Sequence, residues 1–392
     1  MSSPRVLLIT IFLAPLVYRF INLVRNYFIA RRLQLPILIT PVSWQDPWWI
    51  PIQPFFQPFK SLPFCGWLGY SSHGWVLHDR YRIHHRLGPA FVIVTPGKND
   101  IYVGDPEASK ELLSKWRVWT KPQAVYKLFD IFGKNVNSVN GDDWQRHRKL
   151  ASYGFKESIC STVWDESLKQ GQQISNLWSG QKEILLKDIG KHSAMVAMNV
   201  LSAAAFGKRY DFGDDKGLQT PDPGHELSYG EALRTVLENI MFTILFDGLK
   251  APTWMLPQML RILKTATSEF RAYLHENISE EKENLAAGGD EKANLSSVLV
   301  RANEKEKEVN DPKVKGVLSD SELLGNLFIF ALAGHETTAT TFTYSLPLLA
   351  AYPETQAWVA EEVDDIFGKD QIYSNVFPKL VRCMAVMVCY NT

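Results

Sequence analysis

Two spacing rules govern the apolar positions along this chain, and the change from one to the other marks the kind of fold to expect. Residues 90–95 form a short apolar run, residues 96–100 (Pro-Gly-Lys-Asn-Asp) carry turn chemistry, and residues 101–103 are apolar again. That pattern predicts a β-hairpin. Beyond it, apolar residues recur at intervals of three and four. This predicts helices over 106–116, 142–154, 161–178, 192–206, 229–246 and 256–285, and a long one from Ser321. The polar stretches 211–224 and 303–315 read as surface loops. The expected fold class is mostly α with a small β-hairpin region.

The N-terminal segment has its own pattern. Residues 6–24 contain a single formal charge, Arg19. At about 1.5 Å rise per residue they reach roughly 28 Å, close to the hydrocarbon thickness of a bilayer. They read as a membrane-spanning signal anchor; the competing readings are a cleaved signal peptide and a buried soluble helix. A cleaved signal fits poorly, because Pro15 interrupts the apolar stretch and no Ala-x-Ala-like site follows. Arg5 precedes the segment and Arg25, Arg31 and Arg32 follow it. The positive-inside bias then leaves the remainder in the cytosol. Residues 36–63 hold seven prolines among Trp44, Trp48, Trp49, Phe55, Phe56 and Phe59. They read either as an extended hinge lying on the body or on lipid headgroups, or as an ordinary proline-rich loop. The expected organisation is an anchor with a basic flank at 1–35, a hinge at 36–65 and one body at 66–392.

Composition narrows the partners. Over 392 residues, 42 Lys and Arg balance 42 Asp and Glu, so no excess positive charge exists for a nucleic-acid backbone. Cys65, Cys160, Cys383 and Cys389 have neither disulfide-scaffold nor zinc-ribbon spacing, and no metal-ligand set is predicted.

The long helix carries the chemistry. Between Glu322 and Glu354 the only charged residue is Glu336. Residues 327–334 are apolar on every side, as in a helix running through the middle of a domain. Ser319-Asp320-Ser321-Glu322 supplies a capping box, and Pro347 is expected to kink or end the helix, giving about 26 residues. A buried carboxylate with no neighbouring cation is costly unless it has a purpose. Thr337, Thr338, Thr340, Thr341 and Thr343 surround it. Threonine is stiff in a helix and its hydroxyl competes for the carbonyl one turn back, so helix stability alone does not account for these residues. Gly334 thins the helix beside them, as a site admitting a small polar molecule requires. The alternative is a packing helix whose Glu336 reaches solvent.

Other chemistries fail on spacing. His335-Glu336-Thr337-Thr338-Ala339 has alanine where a zinc HExxH helix needs its second histidine, and neither a GxSxG elbow, a Walker loop nor a GxGxxG is present.

Ala333-Gly334-His335-Glu336-Thr337-Thr338 resembles the oxygen-binding stretch of the cytochrome P450 family of haem-thiolate monooxygenases. Trp144-Gln145-Arg146-His147-Arg148 resembles that family's W-x-x-x-R helix, with Trp144, His147 and Arg148 on one helical face. The resemblance covers nearly the whole chain and is strongest to fungal microsomal members, which points to fungal secondary metabolism. It implies a P450-like fold that is incomplete at the C-terminus, and a monooxygenase acting on an apolar small molecule. It also implies haem b, a membrane, and electrons from an NADPH-dependent reductase. Glu336 and Thr337 would relay protons, Ala333, Gly334 and Thr338 would form the oxygen groove, and Trp144, His147 and Arg148 would bond the haem propionates.

Two family features have no counterpart: the F-x-x-G-x-x-x-C loop with its axial thiolate, and the E-x-x-R pair, where Cys389 and Thr392 stand instead. The resemblance stops near Met387. The alternative function is therefore a non-catalytic, membrane-anchored fragment that cannot hold haem; an unrelated helical protein would need both motifs to be coincidences.

Overall fold

The computed structural model describes residues 4–46, 48–180, 186–213, 220–246, 252–308, 316–367 and 371–389. They separate into two units, Met1–Trp119 and Thr120–Thr392. Parts of the expected loops at 211–224 and 303–315, Pro47 of the hinge and the last three residues lie outside the described residues.

In the first unit the predicted hairpin forms from β2 (Ala90–Val94) and β3 (Asn99–Val103), with Phe91 opposite Tyr102 and Val92 opposite Ile101. A strand within the expected hinge, β1 (Ile37–Ile39), adds in parallel to β2. One face of the sheet packs Phe91 and Ile93 with Trp75 and Ile83; the other packs Val92 and Val94 with Ala30.

Ala30 belongs to helix α1 (Pro4–Arg31), which covers the predicted anchor. Among the described residues, however, no helix is long and apolar enough to cross a membrane. Several polar residues in the second half of α1 are paired with protein. Asn26 Nδ2 donates to the Thr95 carbonyl at 2.8 Å, and Asn99 Nδ2 donates to the Asn26 carbonyl at 3.0 Å. Arg19 bonds Asp46 at 2.9 Å and the Pro41 carbonyl at 3.1 Å, with its guanidinium over Trp48. These residues fasten one side of α1 to protein. The expected extended hinge is likewise a run of short helical turns at Gln53–Phe56 and Gln57–Ser61, with prolines in their first positions, where a missing N–H costs nothing.

The second unit is helical: α2 (Gly141–Ser152), α3 (Glu157–Ser179), α4 (Leu186–Phe206), α5 (Tyr229–Glu238), α6 (Gln258–Ala286), α7 (Leu295–Glu308), α8 (Asp320–Ala351), α9 (Pro353–Phe367) and α10 (Val381–Cys389). The helix expected over 229–246 breaks at Asn239, whose side-chain amide donates to the Thr235 carbonyl at 3.0 Å. α7 was not predicted and replaces the first part of the expected loop at 303–315. Its polar residues are buried and paired: Arg301 Nε bonds Glu281 at 2.6 Å, and Asn303 bonds the backbone of Leu318 at 2.7 and 2.9 Å.

α8 starts with the expected capping box, Ser319 with Glu322. It runs 32 residues, through Pro347, because proline removes one backbone bond and its fixed φ still suits a helix. Leu323, Leu324, Leu327, Phe328 and Ala331 are buried against Phe132, Leu233 and Phe270. Farther along, only one stripe stays covered: His335 and Ala339 are buried, while the residues between them are exposed.

Candidate functional site

Helix α2 presents Trp144 and Arg148 one turn apart, with the Arg148 guanidinium 5.3 Å from the Trp144 ring centre. Trp144 is half-buried and Arg148 exposed. His147 lies at the same helical spacing but turns inward and is fully buried. Its Nδ1 accepts from Asn326 Nδ2 at 2.8 Å, and its Nε2 faces Glu322 at 3.4 Å. Burial lowers its pKa, opposed by these partners, so it is a neutral ring fastening α2 to α8. The structure therefore separates His147 from the two residues predicted to act with it.

Arg146, between them, makes the stronger fastening. Its guanidinium grips Glu322 at 2.6 and 2.9 Å, donates to the Val317 carbonyl at 2.7 Å and reaches Asp143 at 3.2 Å. Burial pushes the Glu322 carboxyl up, but the bonds from Arg146 and from the Ser319 backbone outweigh it and bring its pKa down to about 2. Sequence reading passed over Arg146 and Asn326. The available signal was Glu322, whose place in the capping box leaves carboxylate capacity for a second partner.

Residues 121–140 lie against the same half of α8. Asn326 Oδ1 accepts the Val136 N–H at 2.9 Å, Phe132 and Phe328 are 4.5 Å apart, and Arg271 donates to the Ile131 carbonyl at 2.6 Å. Backbone meets backbone here: a Cβ on Gly325 would lie 2.4 Å from the Gly133 carbonyl oxygen, and Gly133 itself has φ +141°. Lys121 donates to the Val136 carbonyl at 2.8 Å, and burial lowers its pKa.

The predicted oxygen-side residues follow on α8. Glu336 begins ten residues after Asn326, about 15 Å along the axis. It is exposed, which corrects the expectation of a carboxylate enclosed in the core. Each residue turns the helix by about 100°, so when His335 and Ala339 face α4, Glu336 faces away. Thr337 is also exposed, and its hydroxyl donates to the Ala333 carbonyl at 2.6 Å, the back-bonding expected of these threonines. Gly334 and Thr338 lie on the adjoining face and line a groove with α3 and α4. The predicted set is thus split between two faces of one helix.

The sequence profile of the cytochrome P450 family matches residues 56–381, more than half the chain. The chain belongs to the cytochrome P450 family. It is 29% identical over 377 residues to a cytochrome P450 monooxygenase of Arthrobotrys oligospora, covering 90% of this chain and 63% of that protein. It is 31% identical over 292 residues to cytochrome P450 monooxygenase 124 of Postia placenta, covering 73% and 54%. A zebra fish cytochrome P450 solved with progesterone shares the fold at a TM-score of 0.58, with 18% identity over 78% of this chain and 68% of that one. The chain spans between about half and two thirds of the length of these two fungal relatives.

Membership of the P450 family implies haem, and the described residues meet that group only in part. Trp144 and Arg148 offer an indole N–H and a guanidinium suited to propionates. A thiolate for the iron is another matter. Cys65 packs beside Val42, Trp49 and Leu68 in the first unit, and Cys160 is hydrogen-bonded to Tyr373. Cys383 is kept as a thiol by burial and by the Glu362 carboxylate, both of which raise its pKa. The side chain of Cys389 lies outside the described residues. Among the described residues no group of His, Cys, Asp and Glu could hold a metal ion. Among the described residues the fit is to the propionates alone.

Proposed function

We propose that this P450-family chain carries the oxygen-side and propionate-side residues of a monooxygenase site for an apolar small molecule. The observation that carries the reading is the joining of its two motif helices: Arg146 with Glu322 and His147 with Asn326 fix the Trp144–Arg148 helix to the helix of Ala333, Glu336 and Thr337. In this reading Trp144 and Arg148 anchor propionates, while Glu336 and Thr337, a carboxylate and a hydroxyl on adjacent residues, hold and pass protons at an exposed helix face. A cavity of about 200 Å³ lined by Phe242, Phe246, Leu256, Leu260, Leu263 and Arg271 supports an apolar ligand class. An NADPH-dependent reductase is the electron donor that family membership suggests.

The same reading places the chain on a membrane surface at the endoplasmic reticulum, with the catalytic body in the cytosol. On α1, Leu13, Leu16, Val17, Phe20, Ile21 and Val24 recur at helical spacing and are exposed, as in a helix lying in the headgroup plane.

A second reading, a non-catalytic chain, is favoured by the Cys383 thiol beside Glu362. Adding haem to the full chain, reducing it and recording the carbon monoxide difference spectrum separates the two. A thiolate-type spectrum supports a working site. Haem uptake without that spectrum, reduced by Trp144→Phe and Arg148→Ala, supports an anchoring site with no catalysis, and uptake unaffected by both variants overturns the assignment of the propionate residues.

A further inference from the structure

Four polar side chains are buried on α3 and α4. Glu166 is 1% exposed, and Gln170, Asn199 and Ser202 are fully buried. Two contacts set the register of the helices: Trp178 Nε1 donates to His192 Nδ1 at 2.9 Å, and Asn199 Nδ2 donates to Gln170 Oε1 at 2.9 Å. Later positions on one helix meet earlier positions on the other, so the pair is antiparallel. Glu166 precedes Gln170 by one turn of α3, and Ser202 follows Asn199 by one turn of α4. In an antiparallel pair these steps go the same way, which brings Glu166 and Ser202 to neighbouring levels.

The hydrogen bonds fix which atom each side chain presents. Gln170 Nε2 uses both its hydrogens, donating to Glu166 Oε1 at 2.8 Å and to the Tyr210 carbonyl at 2.8 Å. Gln170 Oε1 must then accept, and the Asn199 atom facing it must be the amide nitrogen. Glu166 Oε2, Asn199 Oδ1 and the Ser202 hydroxyl are left buried without a hydrogen-bond partner. With the carboxyl ionised, the first two can only accept. The single hydroxyl hydrogen of Ser202 satisfies one of them at most. Lys169 does not make up the difference: its ammonium lies 3.8 Å from Glu166 Oε1, beyond hydrogen-bond reach, and is bonded to Asp211 at 2.7 Å.

A buried carboxylate is costly unless it is paired or holds a cation. Carboxylate, amide and hydroxyl oxygens are ligands for hard cations, and one negative charge among neutral oxygens matches one positive charge. One acidic side chain is too few for a divalent or transition-metal site, and among the described residues no His, Cys, Asp and Glu group forms one. We propose that Glu166, Asn199 and Ser202 hold a monovalent alkali cation, sodium or potassium, that ties α3 to α4. The proposal rests on none of the residues assigned to oxygen or propionates.

The test uses the full chain without haem, at fixed ionic strength, in potassium, sodium or N-methylglucamine chloride. The thermal midpoint should rise in potassium or sodium by about 2 °C for each tenfold increase beyond half-saturation. It should stay level in N-methylglucamine, which is too large to enter. Glu166→Gln puts an amide donor where Oε2 stood, and should abolish the cation-dependent rise. Asp165→Asn removes an equal charge from the exposed side of α3 and should retain it. Ser202→Ala removes one ligand oxygen and should raise the half-saturating concentration by about tenfold, a readout that holds even if Glu166→Gln does not fold. Equal midpoints in the three salts, the result expected if water alone meets these oxygens, overturn the proposal. So does a rise that persists in Glu166→Gln or is untouched by Ser202→Ala.

Discussion

Arg146 and Glu322 are 176 positions apart in the chain and meet through two hydrogen bonds, at 2.6 and 2.9 Å. Both side chains are largely covered, at 16% and 14% exposure, so each depends mainly on the other. The pair therefore fixes the start of the long helix to the helix of Trp144.

Arg146→Ala should lower stability by about 3 kcal/mol, measured by denaturant unfolding, because it leaves a buried carboxylate unpaired. Acid sensitivity should follow the same pair. The folded Glu322 carboxyl sits near pH 2, against an ordinary value of 4.5. Its contribution is complete above about 4.5 and is lost as pH falls toward 2. Glu322→Gln should flatten the stability profile across that window, and an unchanged profile would contradict the assignment.

Asn326→Leu should cost about 2–3 kcal/mol in the same measurement. It strips partners from the Val136 N–H and from the His147 ring at once. The combined Asn326→Leu, His147→Leu chain should lose less than the sum of the single changes, since the two residues share one bond.

Gly325→Ala should destabilise by about 3 kcal/mol, read as a fall in thermal midpoint, because the new methyl meets the carbonyl oxygens of Gly133 and Lys134 at 2.4 and 2.5 Å. Gly69→Ala, where a Cβ meets nothing within 4 Å, is the control and should change little.

His225 should give the opposite pH response. It bonds Glu269 at 2.8 Å and Glu276 at 3.1 Å, and stacks on Tyr273 at 3.7 Å. Burial alone lowers its pKa, but the two carboxylates outweigh this and hold it above the ordinary 6.5. Its contribution is full below 6.5 and is lost as pH rises through the raised value. His225→Phe keeps the stack and should remove this alkaline loss, as followed by thermal melts between neutral and alkaline pH.

The helices were legible where the apolar period was strong, as in α3, α4 and α6, and the capping box marked the start of α8 to within a residue. α7 was not, because the stretch from Asn303 reads as a surface loop, whereas Arg301 and Asn303 are buried partners of Glu281 and Leu318. Periodicity also gave no sign that α1 would be held by Asn26 and Arg19. Both motifs of the site could be read as strings of residues. Their division between faces could not: one helical step separates buried His335 from exposed Glu336, and neighbours 130 or more positions away decide which side is covered.

The distance in sequence between Arg146 and Glu322 also sets a clock for synthesis. A ribosome adding about 5–20 residues per second takes roughly 9–35 s to cover the 176 positions between them. Through that interval the nascent α2 carries a guanidinium with only Asp143 for a partner and an imidazole without its amide. Chaperone occupancy on stalled nascent chains should therefore fall once Asn326 has cleared the exit tunnel.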